Sequence, residues 1–155
     1  TGSIVKRLGI EEGKVLPRPI IEFYLKDDKL NDPIISEEHI IVFEWATHSE
    51  LDEIISLSTR INDFLTGYFY SQKIRLVDFK IEFGRFWSGQ DNSIMLADEI
   101  SPDNCRLWDI LTNKKLDKDR FRQDLGEVDI AYKEVAYRLG VLSEKEFKKV
   151  LKNDF

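Results

Sequence analysis

The stretch IRLVDFKIEF (residues 74–83) alternates apolar with charged side chains in its second half, a pattern typical of a β-strand. Successive side chains of a strand point to opposite faces. Asp78, Lys80 and Glu82 are therefore predicted to share one face. The other face is predicted to pack on a hydrophobic core, because its residues are all apolar: Val77, Phe79, Ile81 and Phe83.

A second strand is predicted for SIMLADEI (residues 93–100). The intervening residues 84–92 are rich in Gly, Asp and Asn, which favour turns, so the two strands are predicted to form an antiparallel hairpin with a long loop. Strict alternation would place Asp98 among the apolar side chains of the second strand. A bulge or the end of the strand is needed to direct Asp98 to the same site as Glu82.

Helical patterns flank this hairpin. Thr47 and Glu50 have the spacing of a capping box, and the apolar residues behind them recur every three or four positions until about Tyr70. Residues 102–112 are predicted to be mostly loop. The other predicted elements are a strand at 20–25, helices at 3–8, 36–43, 117–125 and 128–139, and a last helix after the capping box of Ser143 and Glu146. The predicted fold class is α+β, with an antiparallel sheet covered by helices.

The composition limits the classes of protein to which the chain can belong. Hydrophobic residues make up 42% of the 155 residues, which is enough for one domain with a core. The net charge of −6 argues against a general nucleic-acid-binding or membrane-surface protein, which would need a basic face. Cys105 is the single cysteine, so the chain cannot form an internal disulfide. We therefore expect a cytoplasmic protein whose partners include neither nucleic acid nor a membrane.

The charged side chains of the predicted hairpin have a chemical use. Two carboxylates such as Glu82 and Asp98 can hold Mg²⁺, which keeps several waters and bridges the phosphates of a nucleotide. A lysine at the position of Lys80 can neutralise the charge of a phosphoryl or acyl-phosphate group. The same pattern is also typical of a solvated sheet face with cross-strand Lys–Glu pairs, and the local pattern alone favours that structural role.

The segment SPDNCRLWD (residues 101–109) carries a second candidate group. Its Pro-Asp-Asn turn follows the predicted strand directly, which places Asp103 and Arg106 at the mouth of the sheet. Arginine suits the binding of phosphate or carboxylate, because its planar guanidinium donates two parallel hydrogen bonds.

Two further segments contain groups that can bind anions. In DKDRFRQ (residues 117–123), Arg122 follows Asp119 by one helical turn, although an ordinary charged helix face is locally the better explanation. Ser3 follows Gly2 at the start of a predicted helix, where backbone N–H groups and a hydroxyl form a natural anion site.

Six segments occur in the order and spacing that are characteristic of SAICAR synthetases (phosphoribosylaminoimidazole-succinocarboxamide synthases). They are GSIVKRLG (2–9), LKDD with LNDP (25–33), VDFKIEFGR (77–85), LADEISPDNCRLWD (96–109), KLDKDRFRQDLG (115–126) and AYKEVAYRLG (131–140). The chain resembles this family from Gly2 to about Leu142, and the two central segments are highly specific in combination.

The resemblance implies an ATP-dependent ligase of de novo purine biosynthesis. The family joins the carboxylate of CAIR, 5-amino-1-(5-phospho-D-ribosyl)imidazole-4-carboxylate, to the amine of L-aspartate, using ATP with Mg²⁺ and releasing SAICAR, ADP and phosphate. Its members resemble ATP-grasp proteins, in which a smaller N-terminal lobe holds the ATP base and covers the phosphates. We expect residues 1–155 to be the substrate- and metal-binding C-terminal part, without that lobe and inactive alone. Homo-oligomer formation is left open.

The resemblance also implies roles for individual residues. Lys80 would be a catalytic ligand of the substrate carboxylate or of the transferring phosphoryl group. Asp78 would be a second catalytic residue that supports this site or the nucleotide. Glu82 and Asp98 would be the carboxylates that bind the metal and the nucleotide phosphates. The implied substrate-binding residues are Ser3, Asp103, Arg106 and Arg122, and those facing the nucleotide are Lys26 and, as a weaker candidate, Asp32.

Two other functions fit part of this pattern. A non-catalytic module that binds a nucleotide or a sugar phosphate would suit a chain without the nucleotide lobe, although the set of Lys80, Glu82, Asp98 and Arg106 argues against it. An Mg²⁺-dependent phosphohydrolase could use the same carboxylates, but the sequence offers no identifiable base to activate water. We expect no catalytic role for residues 143–155.

Overall fold

The computed structural model describes residues 4–89, 92–122 and 128–153. The chain divides into two compact units, Thr1–Ser58 and Thr59–Phe155. The elements of the first unit, with the long helix that continues into the second, are α1 (Ile4–Leu8), β1 (Phe23–Tyr24), a short 3₁₀ helix (Asp28–Leu30), β2 (Ile34–Ile35), α2 (Glu37–Val42) and α3 (His48–Ser71).

Strands β1 and β2 form a small antiparallel pair, with Phe23 opposite Ile35. Asp27 organises the connection between them, because its Oδ1 accepts hydrogen bonds from the backbone N–H groups of Lys29 (2.9 Å) and Leu30 (3.2 Å). A strand was predicted at residues 20–25, and in the structure Phe23 and Tyr24 of this range form strand β1. The predicted helix at 36–43 is confirmed as α2.

Helix α3 is the longest element, and the predicted capping box opens it. The N–H of Thr47 donates to Glu50 Oε2 (2.8 Å), and the N–H of Glu50 donates to Thr47 Oγ1 (3.2 Å). These reciprocal bonds satisfy two N–H groups that a helix start would otherwise leave unpaired. The helix ends at Ser71, one residue beyond the predicted end, and Lys73 turns the chain with φ of 59° before the next strand.

The second unit contains the remaining strands and helices. They are β3 (Ile74–Phe79), β4 (Phe83–Trp87), β5 (Asn92–Leu96), β6 (Cys105–Asp109), α4 (Asp119–Arg122), α5 (Val128–Arg138) and α6 (Glu144–Asn153). Strand β3 pairs with β6 and β4 pairs with β5, both antiparallel. The α+β class with antiparallel strands and covering helices is therefore confirmed.

The strands of the structure correct four predictions. Residues 74–83 are two strands rather than one, because the chain leaves β3 after Phe79 and enters β4 at Phe83. The predicted loop at 84–92 contains most of β4, and the predicted loop at 102–112 contains β6. The predicted common face of Asp78, Lys80 and Glu82 is also wrong, because β3 ends at Phe79 and Asp78 stays paired with Arg106 of β6.

The hydrogen-bond ladders show where the chain changes partner. The N–H of Lys80 still donates to the carbonyl of Asn104 next to β6 (2.8 Å), whereas the carbonyl of Glu82 accepts from the N–H of Ala97 next to β5 (2.9 Å). Lys80 is thus the last residue tied to one strand pair and Glu82 the first tied to the other. The change occurs in the middle of the most charged segment of the hairpin.

The core of the second unit lies between α3, β3, β6 and α5. Its buried members are Leu65, Phe69, Ile74, Cys105, Leu107, Leu116 and Val135. Leu107 is completely buried, which explains why residues 105–109 form a strand despite the turn residues that precede them. No helix within the described ranges is both long and apolar enough to cross a membrane.

Candidate functional site

A lysine and two carboxylates meet where the chain passes from β3 to β4. Lys80 Nζ lies 2.5 Å from Glu82 Oε1 and 3.8 Å from Asp98 Oδ2. Lys80 and Glu82 lie in the link between the strands, and Asp98 lies just beyond the end of β5. The structure therefore brings together three residues that the sequence singled out.

The end of β5 explains the direction of Asp98. The strand stops at Leu96, and Asp98 Oδ1 accepts a hydrogen bond from the N–H of Glu99 (2.8 Å). Beyond the strand the alternation of faces no longer applies. This is the departure from strict alternation that the sequence required for Asp98 to reach the side of Glu82.

The chemistry of this donor set suits a hard divalent cation. Glu82 and Asp98 are both partly exposed, and carboxylate oxygens with access to water are the ligands that Mg²⁺ prefers. Within the described residues there is no group of three or more His, Cys, Asp or Glu placed to hold a metal. Mg²⁺ keeps several waters and is usually bound by one or two carboxylates together with phosphate oxygens, so the pair of Glu82 and Asp98 fits it without a third protein ligand.

A second cluster surrounds Arg106 on β6. Arg106 Nη1 donates to Asp78 Oδ2 and Arg106 Nε donates to Asp119 Oδ2, both at 2.6 Å. Asp78 is the residue opposite Arg106 in the β3–β6 ladder, and Asp119 is the first residue of α4. Arg122 Nη1 lies 3.3 Å from Asp119 Oδ1, so Asp119 contacts both arginines that the sequence proposed as substrate ligands.

Ion pairing dominates the electrostatics of this Arg106 cluster. Burial by itself would raise the pKa of the Asp119 carboxyl, but the hydrogen bond and charge of Arg106, with the charge of Arg122, lower it below its usual value. Burial would lower the pKa of Arg106, and Asp78 and Asp119 together raise it instead. Asp119 and Arg106 are therefore both ionised at neutral pH.

Asp117, the first residue of the helix predicted at 117–125, lies next to this cluster. It is completely buried, and it accepts hydrogen bonds from the backbone N–H groups of Leu107 (2.7 Å) and Asp119 (2.8 Å). Burial raises the pKa of the Asp117 carboxyl. The Asp117 side chain thus connects Leu107, which follows Arg106, to Asp119, which pairs with Arg106. The link between Asp117 and β6 was not predicted, because it depends on tertiary structure.

Asp103 is hydrogen-bonded to a residue of α5. Tyr132 Oη donates to Asp103 Oδ1 (2.7 Å), and the N–H of Asp103 donates to Ser101 Oγ (3.1 Å). Burial and the adjacent Asp103 carboxylate raise the pKa of Tyr132, so the phenol keeps its proton. Tyr132 was not among the predicted site residues, because its partner is remote along the chain.

The remaining candidates belong to the first unit, to the core of the second unit, or to the part of the chain outside the described residues. Lys26 and Asp32 belong to the first unit, in the connection between β1 and β2, where Asp32 Oδ1 accepts from the N–H of Asp27 (2.9 Å). Ser3 lies outside the described residues. Cys105 is buried, and burial raises the pKa of its thiol to about 11, which fits packing rather than catalysis.

Comparison with known families decides what kind of protein carries this arrangement. The protein-family model for SAICAR synthetase matches residues 1–139. The chain belongs to the SAICAR synthetase family. The resemblance found in the six sequence segments is confirmed.

Two curated SAICAR synthetases are similar to this chain over most of its length. The phosphoribosylaminoimidazole-succinocarboxamide synthase of Gluconacetobacter diazotrophicus is 63% identical over 143 residues, which are 92% of this chain and 56% of that protein. The protein of the same name from Acidiphilium cryptum is 64% identical, with the same coverage. The chain spans about half the length of the curated relatives it matches.

Solved structures of the family share the fold. The phosphoribosylaminoimidazole-succinocarboxamide synthase of Ehrlichia chaffeensis matches with a TM-score of 0.88 and 50% identity, covering 93% of this chain and 61% of that one. A SAICAR synthetase (Type-2) in complex with ADP matches with a TM-score of 0.85 and 44% identity, over 92% of this chain and 60% of that one.

Proposed function

We propose that residues 1–155 form the substrate- and metal-binding part of an ATP-dependent ligase that joins the carboxylate of CAIR to L-aspartate. The observation that carries this proposal is the meeting of Lys80 with Glu82 and Asp98 in a member of the SAICAR synthetase family. The products are SAICAR, ADP and phosphate. The enzyme acts in de novo purine biosynthesis, and a cytoplasmic location is part of the proposal.

The reaction couples two group transfers. An oxygen of the CAIR carboxylate attacks the γ-phosphorus of ATP, which forms an acyl phosphate and releases ADP. The aspartate amine then attacks the acyl carbon and expels inorganic phosphate, and the amine loses a proton as the amide bond forms. Activation is needed because a free carboxylate is a poor acceptor for an amine.

Lys80 is proposed to act on the group that transfers. Its ammonium can neutralise the charge of the substrate carboxylate or of the transferring phosphoryl group, and a charge fixed in advance costs little reorganisation. Glu82 already holds this ammonium at 2.5 Å, which limits the positions that the lysine can adopt. Asp78, which the sequence assigned to the same group, is proposed to act through Arg106 instead, since the structure pairs those two residues.

Glu82 and Asp98 are proposed to hold Mg²⁺ with the phosphates of the nucleotide. When bound, Mg²⁺ would supply neutralisation of phosphate charge and a fixed orientation of the phosphate oxygens. The ADP complex of a related SAICAR synthetase supports a nucleotide site in this family. Lys26 is proposed to face the nucleotide, a role that rests on the family resemblance alone.

The ribonucleotide phosphate is proposed to bind Arg106, with Arg122, Ser3 and Asp103 as further substrate contacts. A guanidinium can donate paired hydrogen bonds to a phosphate dianion. The chain covers 56% of the first relative, so we place the binding of the ATP base in the part of such proteins that the match does not cover.

Replacement of the carboxylates tests the proposal. Glu82→Ala and Asp98→Ala in the complete protein should each abolish Mg²⁺-dependent formation of SAICAR, and circular dichroism should show an intact fold because both side chains are partly exposed. Glu144→Gln, which alters an exposed helix pair with Lys148, is the matched control and should retain full activity. Full activity in both alanine variants would contradict the metal assignment, and binding without turnover in the wild type would favour a binding module.

A further inference from the structure

Asp119 contacts both arginines of the Arg106 cluster, one with each carboxylate oxygen. Oδ2 accepts from Arg106 Nε at 2.6 Å, and Oδ1 lies 3.3 Å from Arg122 Nη1. We propose that Asp119 is a positioning residue that holds the two guanidiniums toward one anion, the phosphate of the ribonucleotide. This inference rests on the proposed function and names a residue that sequence reasoning treated as part of an ordinary helix face.

The two carboxylates that pair with Arg106 are not equivalent. The Asp119 side chain is 10% exposed, whereas the Asp78 side chain is 55% exposed. An exposed ion pair contributes little to structure because water competes with it, while a shielded, hydrogen-bonded pair fixes its members. Asp119 is therefore the partner that determines the orientation of the guanidinium, and Asp78 is the partner that an incoming anion can displace.

The backbone of Asp119 is fixed independently of the arginines. Its N–H donates to the buried Asp117 Oδ1 at 2.8 Å, and the other oxygen of Asp117 accepts from Leu107, the neighbour of Arg106. The distance between Asp119 and Arg106 is thus set by the core rather than by the ion pair. A pair built in this way is preorganised, so little conformational entropy is lost when a ligand binds.

Charge explains why two arginines need such a residue. Two guanidiniums that approach the same anion repel each other before it binds, and a carboxylate between them removes this repulsion. Asp119 offsets one of the two positive charges, and Asp78 offsets the other until an anion takes its place beside Arg106. Arg122 is 42% exposed and pairs with Asp119 at a spacing of three residues on α4, a contact that limits the directions its side chain can take.

The orientation of Arg106 can be measured without any reaction. In ¹⁵N-labelled protein the Nε–H resonance of Arg106, assigned by its loss in Arg106→Lys, should exchange slowly with water because it donates to Asp119. Asp119→Asn should accelerate this exchange by at least ~10-fold, since a neutral acceptor makes a weaker bond than a carboxylate. Glu134→Gln, which removes one of the two carboxylates that pair with Arg138, is the matched control and should leave the Arg106 resonance unchanged.

Binding measurements distinguish a positioning role of Asp119 from a structural role. Ribose 5-phosphate should bind the complete protein more tightly than ribose, and Asp119→Asn should reduce that phosphate-dependent difference by at least ~10-fold. The KM for the ribonucleotide should rise in the same variant while the KM for ATP stays within ~2-fold. Asp119→Glu, which retains the charge, should recover part of the loss, and Glu134→Gln should match the wild type.

Each outcome decides a different question. Unchanged Arg106 exchange or unchanged phosphate affinity in Asp119→Asn would overturn the positioning role. A general loss of binding for both substrates, with a changed circular dichroism spectrum in Asp119→Glu as well, would show a structural role instead. A wild-type protein that makes no SAICAR would refute the proposed function, and the exchange of the Arg106 resonance would still test whether Asp119 orients it.

Discussion

Asp109, at the end of β6, should make the stability of the second unit depend on acid pH. Its Oδ1 accepts hydrogen bonds from the N–H of Leu111 (3.0 Å) and from the N–H and hydroxyl of Thr112 (both 2.8 Å). Its Oδ2 lies 2.7 Å from Arg138 Nη2, at the last residue of α5. One buried carboxylate thus joins the turn after β6 to the helix that covers the core.

The magnitude follows from the pKa of Asp109. Burial would raise this pKa, but the hydrogen bonds from Thr112 and Arg138 outweigh burial and lower it from 3.8 to about 2. Each pKa unit is worth about 1.4 kcal/mol, so the ionised carboxylate contributes about 2 kcal/mol to the free energy of unfolding. Because the folded-state pKa is lowered, this stability is present above about pH 4 and is lost as the pH falls toward 2.

Asp109→Asn isolates this contribution, since it keeps the size of the side chain and removes the charge that Arg138 binds. Urea unfolding followed by circular dichroism should show the variant about 2 kcal/mol less stable at pH 7, with the difference shrinking below pH 4 and vanishing near pH 2. The exposed control Glu144→Gln should match the wild type throughout. A difference between Asp109→Asn and wild type that is equal at pH 7 and pH 2 would refute the electrostatic explanation.

Three other predictions follow from the site and the core. Arg106→Ala should weaken ribonucleotide binding by ~2–5 kcal/mol and leave ATP binding unchanged, and Arg106→Lys should recover part of the loss. Steady-state kinetics in which the KM for ATP rises and the KM for the ribonucleotide does not would contradict the proposed phosphate site. The 155 residues alone should form no SAICAR in a product assay, because they cover 56% of the first relative. Cys105 should not react with a thiol reagent at pH 8 until urea unfolds the protein, because with its pKa near 11 only about one thiol in a thousand is ionised. Rapid labelling of the folded protein would contradict this.

Local sequence signals predicted the helices well. The capping boxes of Thr47 with Glu50 and of Ser143 with Glu146 are both present in the structure, and both open helices. Gly140 follows α5 with φ of 75°, as expected for a residue that ends a helix. These features depend on residues three or four positions apart, which is why the sequence alone was sufficient.

Strand pairing was predicted less well because it depends on distant residues. Residues 102–112 were predicted as loop from the turn chemistry of Pro102, Asp103 and Asn104, yet Leu107 is completely buried and pairs with Leu76. A short strand buried on both faces lacks the alternation of a half-exposed strand, so its pattern carries little signal. Tyr132 was missed for a related reason, since its contact with Asp103 joins residues remote in sequence.

The change of partner strand between Asp78 and Glu82 explains why part of the site was predicted by an argument that was wrong in detail. A continuous strand would have put Asp78 with Lys80 and Glu82, but Asp78 stays on the β3–β6 ladder opposite Arg106, whereas Lys80 meets Glu82 and Asp98. One short segment therefore contributes to two clusters of opposite purpose, a guanidinium suited to a phosphate and a carboxylate pair suited to a cation. The short covalent link keeps the two clusters near each other, as our proposal that one substrate contacts both requires.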